Sequence, residues 1–217
     1  MARVILFGGS FDPVHHGHLI VARAAREALR ADSVLFIPAN MSPHKIAPTR
    51  NRDAGMAAHR LAMLRLAMAA AGEKEGALEV SDVELLRPGP SYTFDTVEEL
   101  AHQRPGDSFI LLMGADQLSK LHTWHRVEDL LHRVIPAVVG RPGAVQEADL
   151  VAVQERMGPE TADRLRAGLL PTPLIEISAT DIRQRIAAGL PVTFLLPPAV
   201  EAYIAEHHLY TAIPSGR

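Results

Sequence analysis

Two histidines, His15 and His18, follow a glycine pair near the start of the chain, and this spacing suggests chemistry on a phosphate. An imidazole N–H donates a hydrogen bond to a phosphate oxygen whether the ring is neutral or protonated. The Gly8-Gly9 pair lets the backbone turn sharply and approach a ligand. Asp12-Pro13 delays the following helix, because the residue before proline is pushed out of the α region. We therefore expect a helix from about Gly17 whose positive end faces the loop and favours an anion.

Two plainer interpretations of the histidine cluster remain open. Three histidines within four positions also resemble a metal site, but the chain has no cysteine and no carboxylate follows His18 at a ligand spacing. The histidines could instead simply cap the helix, although capping does not explain why glycine, proline and histidine coincide. The sequence accordingly predicts no metal site made by protein side chains.

Composition sets the broad class. The 217 residues are 47% hydrophobic with a net charge of −3, which suits one globular domain with a full core. The near-neutral charge without Lys/Arg blocks disfavours nucleic acid as a partner. No apolar run is long enough to span a membrane, and the chain enters its first strand without a signal segment. With no cysteine for disulfides, we expect a soluble, cytoplasmic protein.

The elements that must position the histidines begin with two apolar runs, 4–7 and 34–37, on either side of a helix that ends near Leu29. This pattern predicts a βαβ unit. Further strands are expected at 78–83, 109–114, 134–140 and 174–177, and a core-facing helix at 56–71. Residues 145–168 suggest solvated helical turns, and an amphipathic helix follows Val200.

The pattern predicts an α/β fold, a doubly wound parallel sheet, in which 1–177 form a Rossmann-like core and 178–217 a small helical C-terminal part of the same domain. A nicotinamide-cofactor dehydrogenase is disfavoured because the first turn lacks G-x-G-x-x-G. The absence of G-K-[ST] excludes a P-loop.

Several candidate residues lie where strands are expected to end, which is where function concentrates in parallel sheets. His44 and Lys45 belong to a basic loop at 39–52 whose Arg50 and Arg52 are equally well interpreted as solvated. Thr93 is expected to be the N-cap of the helix that opens at Ser91. Gly114 and Asp116 follow a buried strand. The single tryptophan, Trp124, is interpreted either as core or as a ring that stacks on a ligand.

Near the C-terminus, Ser178 and Asp181 form a predicted capping box. Arg183 then lies within about one turn of the helix's positive end, where a cation is unfavourable by a few tenths of a kcal/mol. We therefore expect another group to compensate this charge.

These residues carry a family resemblance. The pattern Gly9-x-Phe11-x-Pro13-x-His15-x-x-His18 is similar to the G-x-F-x-P-x-H-x-x-H signature of the nucleotidylyltransferase superfamily, and the segment from Ser178 to Arg183 resembles its second signature, I-S-x-T-x-I-R. The resemblance implies that His15, His18 and Arg183 are catalytic through the triphosphate of ATP. The ATP-binding residues that it implies are Gly8, Gly9, Ser10, Phe11, His15, His18, Gly114, Asp116, Ser178 and Arg183.

A narrower resemblance is to the nicotinate-mononucleotide adenylyltransferases. It rests on the Ser-Tyr-Thr-x-Asp-Thr run at 91–96, the loop before the second helix and the lone tryptophan. The mononucleotide-binding residues that it implies are His44, Lys45, Tyr92, Thr93 and Trp124, with the indole on the pyridine ring. The chain departs from the family pattern at Ser42, at Ala179 and at His125, and no role is assigned to His125.

The resemblance implies attack by the phosphate of nicotinate mononucleotide on the α-phosphorus of ATP, without a covalent enzyme intermediate. ATP and nicotinate mononucleotide are then the partners, and Mg²⁺ is expected to bind mainly through the ATP phosphates. Two alternatives stay open: a sister transferase acting on phosphopantetheine, and a non-catalytic ATP sensor on the same fold. The sequence indicates neither the oligomeric state nor a preference between the acid and the amide mononucleotide.

Overall fold

The computed structural model of the protein describes residues 1–41, 53–140, 147–173 and 175–211. Within these ranges six strands form one sheet in the order β3-β2-β1-β4-β5-β6, and all neighbouring pairs are parallel. The strands are β1 (Arg3–Gly9), β2 (Ser33–Pro38), β3 (Leu78–Val80), β4 (Ser108–Gly114), β5 (Ile135–Val139) and β6 (Leu169–Leu170). The predicted doubly wound parallel sheet is confirmed.

Helices cover both faces of the sheet. The described helices are α1 (His16–Leu29), α2 (Asp53–Ala70), α3 (Val83–Leu86), α4 (Thr93–Gln103), α5 (Val127–Arg133), α6 (Glu147–Met157), α7 (Pro159–Ala167), α8 (Ala179–Ala187) and α9 (Pro198–Glu206), with a 3₁₀ segment at Ala115–Thr123. None of the helices in these ranges is both long and apolar enough to cross a membrane.

The strands are apolar throughout because both faces of the sheet are buried. Successive side chains of a strand point to opposite faces, so Val4 and Leu6 join one core cluster and Ile5 joins the other. The first cluster packs under α4 through residues such as Leu100, and the second under α1 through residues such as Ala25. This double burial fixes the ends of β1 and β4, on which the loops depend.

The strand order reverses between β1 and β4. From β1 the chain continues outward to β2 and β3, and from β4 it continues the other way to β5 and β6. Ligands of open α/β sheets bind in the crevice that forms where the order reverses, outside the carboxyl ends of the strands. The site is therefore expected beside Gly9 and Gly114.

Three expected elements differ in the structure. The strand expected at 78–83 ends at Val80, and Val83 already begins α3. The predicted strand at 174–177 is wrong: the edge of the sheet is β6, which pairs with Val138 and Val139, and the described residues 175–177 form no sheet pairing. Ile177 instead packs into the second core cluster, so its apolar character reflects burial and not strand pairing. The segment at 145–168 contains α6 and α7, which bury residues such as Leu150 and Leu165 and are not merely solvated turns.

Candidate active site

The loop after β1 is shaped by Phe11. Its φ is +46°, a left-handed conformation that is uncommon for a side chain of this size, and it is 1% exposed. Its ring packs edge-on against Phe7 with 5.5 Å between centroids. A Cβ atom on Gly9 would lie 2.9 Å from the tip of the Phe11 ring, so this position requires glycine. Gly9 and Phe11 thus form one packing unit, which turns the backbone over the end of the sheet.

The two predicted catalytic histidines stack at the start of α1. His15 occupies the N-cap position, and its ring lies 3.7 Å from that of His18. The backbone N–H of His15 donates to Nδ1 of His18 at 3.2 Å. In a neutral His18 ring the proton therefore resides on Nε2, which leaves Nε2–H as a donor. Capping is thus real, but it uses only one of the two ring nitrogens.

Both histidines are tuned to be uncharged. The pKa of His15 is lowered to about 4, mainly by burial and to a smaller extent by electrostatic repulsion from the nearby His16. Burial, followed by His15, lowers the pKa of His18 well below its usual value. An arriving phosphate would raise both values, because a nearby negative charge favours the protonated ring. Nδ1 of His15 is buried without a hydrogen-bond partner among the described residues, so the pair has unused hydrogen-bonding capacity.

Arg183 links the two sequence signatures. The Ser178 side chain accepts from the backbone N–H of Asp181 at 3.3 Å and caps α8 as predicted. Nη1 of Arg183 donates to the carbonyl oxygen of Asp12 at 2.6 Å and lies 3.9 Å from Oδ2 of the same residue. This loop supplies the compensation that the arginine requires near a helix N-terminus. Nη2 of Arg183 also donates to Oγ1 of Thr180 at 3.4 Å, and the side chain is 36% exposed, so part of the guanidinium remains accessible to a ligand.

A cavity of about 460 Å³ opens beside these groups, and we call it the basic cavity. The lining residues are Ser10, Phe11, Asp12, His18, Ala39, Asn40, Met41, Met56, Arg60, Ala179, Thr180 and Arg183. Sequence reasoning missed Arg60, which is 7% exposed and donates from Nη1 to the carbonyl oxygen of Ser10 at 2.8 Å. The sequence around Arg60 does not indicate a functional residue, because Arg60 resembles any other polar residue on the α2 helix.

A second cavity, of about 340 Å³, lies on the other side of the β1 end, and we call it the apolar cavity. Predicted site residues that line it are Gly8, Gly9, Ser10, Tyr92, Thr93, Gly114, Asp116 and Trp124. Gly114 and Asp116, which the resemblance assigned to ATP, are thus grouped with the predicted mononucleotide residues. Ser10 and Ala39 line both cavities, which therefore adjoin. His44 and Lys45 lie outside the described residues.

Several aromatic side chains line the apolar cavity. Trp124 packs against the first core cluster and also lines the cavity, so its core packing is confirmed and its stacking on a ligand stays a prediction. Tyr92 packs against His125 with 4.6 Å between ring centroids, so His125, to which no role was assigned, also lines the cavity. The expectation that Thr93 is the N-cap is wrong: Thr93 is the first residue of α4, and the extended Tyr92 holds the N-cap position. The helix simply begins one residue earlier.

A buried carboxyl group also lines the apolar cavity. Glu84, on α3, is 7% exposed, and its Oε1 accepts from Oγ1 of Thr96 at 2.8 Å. Burial raises its pKa, against the opposing effect of hydrogen bonds from Thr96 and Ser91. Sequence reasoning did not single out Glu84, because an acidic residue between apolar neighbours gives no sign that it is enclosed.

Residues 6–185, most of the chain, match the family model described as cytidylyltransferase-like. The doubly wound sheet with its histidine loop thus identifies a cytidylyltransferase-like α/β protein. Solved structures agree on the fold: the Plasmodium falciparum nicotinic acid mononucleotide adenylyltransferase complexed with NaAD is 16% identical, covers 97% of this chain and 98% of its own, and has a TM-score of 0.69.

Curated relatives are much closer in sequence. The probable nicotinate-nucleotide adenylyltransferase of Thermomicrobium roseum is 42% identical over 98% of this chain and 94% of its own. That of Bordetella petrii is 44% identical over 97% of this chain and 100% of its own. The chain therefore belongs to the nicotinate-nucleotide adenylyltransferase family, and the resemblance found in the sequence is confirmed.

Proposed function

We propose that the protein transfers the adenylyl group of ATP to nicotinate mononucleotide, giving nicotinate adenine dinucleotide and pyrophosphate in NAD biosynthesis. The observation that carries the proposal is the junction of the two cavities at Ser10 and Ala39, beside the histidine pair. One cavity offers cations and N–H donors for a triphosphate, and the other offers aromatic rings for a pyridine. Family membership supports the same reaction.

The reaction requires little from the protein beyond positioning and charge. An oxygen of the mononucleotide phosphate attacks the α-phosphorus of ATP, and the bond from that phosphorus to the β-bridging oxygen breaks. Pyrophosphate leaves with the electron pair, so no enzyme nucleophile or general base is needed. Preorganised donors that meet charge as it develops are the expected source of catalysis.

His18 and Arg183 have the geometry for these donors. The hydrogen bond from the backbone N–H of His15 occupies Nδ1 of His18 and leaves Nε2–H as a donor for a phosphate oxygen. Arg183 presents a planar fork that grips two phosphate oxygens at once. His15, stacked on His18, holds the ring in place. Ala179 lines the basic cavity where the family pattern has a serine, so this chain has one hydroxyl fewer for phosphate.

The metal accompanying ATP is proposed to be Mg²⁺. Among the described residues no group of three or more His, Cys, Asp or Glu side chains forms a metal site. An ion held mainly by phosphate oxygens and water fits this chain, because Mg²⁺ retains several waters and uses few protein ligands. When bound, it would neutralise phosphate charge.

Trp124 and Tyr92 are proposed to hold the mononucleotide, with the indole stacked on the pyridine ring in the apolar cavity. A solved structure of the same fold is complexed with NaAD, the dinucleotide that the proposed reaction would form.

Labelled ATP tests this proposal. With ATP labelled at the α-phosphorus and unlabelled nicotinate mononucleotide, the label is expected in the dinucleotide, and label at the β-phosphorus is expected in pyrophosphate. Label that stays in ATP, although nucleotide binds, would identify a sensor and contradict the proposal.

A further inference from the structure

The chain segment after α9 packs against the loop that follows β1 and contains Asp12. Leu209 is 8% exposed and belongs to the second core cluster, and Tyr210 packs against that cluster. The hydroxyl of Tyr210 donates to Oδ1 of Asp12 at 2.6 Å, across 198 positions of sequence. The φ of Tyr210 is +62°, and a non-glycine residue keeps this conformation only when its surroundings hold it there. Tyr210 is therefore a docked residue, not part of a loose tail.

A second contact joins the C-terminal part to the same loop. The backbone N–H of His16 donates to the carbonyl oxygen of Leu195 at 3.0 Å. The C-terminal part thus braces the loop both at the start of α1 and at Asp12.

Asp12 poses an electrostatic problem for a site that binds anions. Asp12 lines the basic cavity together with Arg183, whose guanidinium group is proposed to bind phosphate. A free carboxylate and a guanidinium prefer a close paired contact of about 2.7–2.9 Å. Here Oδ2 of Asp12 lies 3.9 Å from Nη1 of Arg183. The same Nη1 donates a hydrogen bond to the backbone carbonyl oxygen of Asp12 at 2.6 Å. The carboxylate is thus held back from the full ion pair.

We propose that Tyr210 is a positioning residue for adenylyl transfer: its hydroxyl holds the Asp12 carboxylate and so keeps the Arg183 fork available for the phosphates of ATP. This inference rests on the proposed function. Burial, followed by the hydrogen bond and negative charge of Asp12, raises the pKa of Tyr210, so its hydroxyl remains a donor at neutral pH. Without the hydroxyl, Asp12 turns to Arg183 and competes with ATP.

Steady-state kinetics of Tyr210→Phe, Asp12→Asn and the double variant test this role. Tyr210→Phe is expected to raise the KM for ATP about tenfold, the effect of one hydrogen bond to a charged group, without changing the KM for the mononucleotide. Asp12→Asn removes the competing charge, so the double variant should recover the KM for ATP of Asp12→Asn alone. Tyr203→Phe is the matched control, because its hydroxyl contacts Nδ1 of His59 at 2.9 Å and lines neither cavity.

The proposal is overturned if Tyr210→Phe raises both KM values alike, or if its effect and that of Asp12→Asn simply add. Asp12→Glu covers the case in which Tyr210→Phe does not fold: its longer carboxylate reaches Arg183 with Tyr210 intact and should raise the KM for ATP. An unchanged KM there also overturns the proposal. Failure of the proposed function would appear in the wild type as no dinucleotide, and ATP affinity measured by calorimetry would then still test Tyr210.

Discussion

The two cavities at the end of β1 are built in different ways. The basic cavity is a polar network in which residues far apart in the chain contact each other: Arg183 and Tyr210 both bind Asp12. The apolar cavity is a recess of rings and small residues, which Tyr92 and Trp124 line together with glycines of two strands. Charge-stabilising groups act most strongly in the transition state, whereas shape-complementary surfaces act on the ground state too. Removing a charge-stabilising donor from the basic cavity should therefore lower kcat, and removing a ring from the apolar cavity should raise KM.

The largest effect is expected for His18→Ala. Removing one preorganised donor typically lowers kcat by about 10²–10³-fold. His16→Ala is the matched control, since His16 is on the same helix but lines neither cavity. Circular dichroism and kcat together check this prediction, and a folded His18→Ala enzyme with normal kcat would remove His18 from the chemistry.

Arg183 should follow, with about a 10²-fold loss in kcat/KM for ATP on substitution by alanine. Because a planar fork binds two oxygens and an ammonium group is a single point charge, Arg183→Lys should be almost as damaging as Arg183→Ala. Comparing kcat/KM across the two variants measures this. Full activity in Arg183→Lys would mean that only diffuse charge is needed in the basic cavity.

Trp124→Ala should raise the KM for nicotinate mononucleotide by about three- to tenfold, since an aromatic pair contributes about 0.5–1.5 kcal/mol beyond area burial. The KM for ATP should stay constant. As Trp124 is the only tryptophan in the chain, nicotinate mononucleotide alone should also quench the intrinsic fluorescence of the wild type. An equal rise in both KM values would make the residue structural.

The smallest effect concerns stability at Glu84. Because burial raises its pKa above 4.5, the folded state binds this proton more tightly than the unfolded state. Stability contributed here is present at low pH and is lost as the pH rises through the raised pKa. The side chain of Glu84→Gln does not ionise and so avoids that loss. The free energy of unfolding of Glu84→Gln minus that of the wild type should therefore increase as the pH rises above 4.5.

Denaturant melts across this pH range measure the Glu84 effect, with the exposed Glu75→Gln as the matched control for losing a carboxylate. Parallel pH profiles for Glu84→Gln and the wild type would show that the carboxyl group costs nothing in the folded protein.

What the sequence predicted well is local. Continuous apolar runs identify strands buried on both faces, and glycine, proline and histidine at fixed spacing mark the loop after β1. Ser178 indicates the start of α8, because an N-cap side chain bonds to a backbone N–H only three residues further along the chain. These features depend on neighbours in the chain, so they are readable without the fold.

What the sequence did not predict is set by tertiary contacts. Arg60 meets the carbonyl oxygen of Ser10 across 50 positions, and Glu84 is enclosed only when α4 brings Thr96 over it. The predicted strand at 174–177 was wrong for the same reason, since a short apolar run indicates burial but not a pairing partner. The division of the predicted residues between two cavities likewise follows from the strand order, which no single segment records.

The most direct test of adenylyl transfer to nicotinate mononucleotide is a product assay with purified protein, ATP and Mg²⁺. Nicotinate mononucleotide and 4′-phosphopantetheine are supplied in parallel as acceptors, and products are identified by mass. Nicotinate adenine dinucleotide and pyrophosphate in equal amounts, from the first acceptor alone, are the predicted result. Transfer to phosphopantetheine, or ATP binding without turnover in either mixture, would contradict the assignment of the apolar cavity to the pyridine mononucleotide.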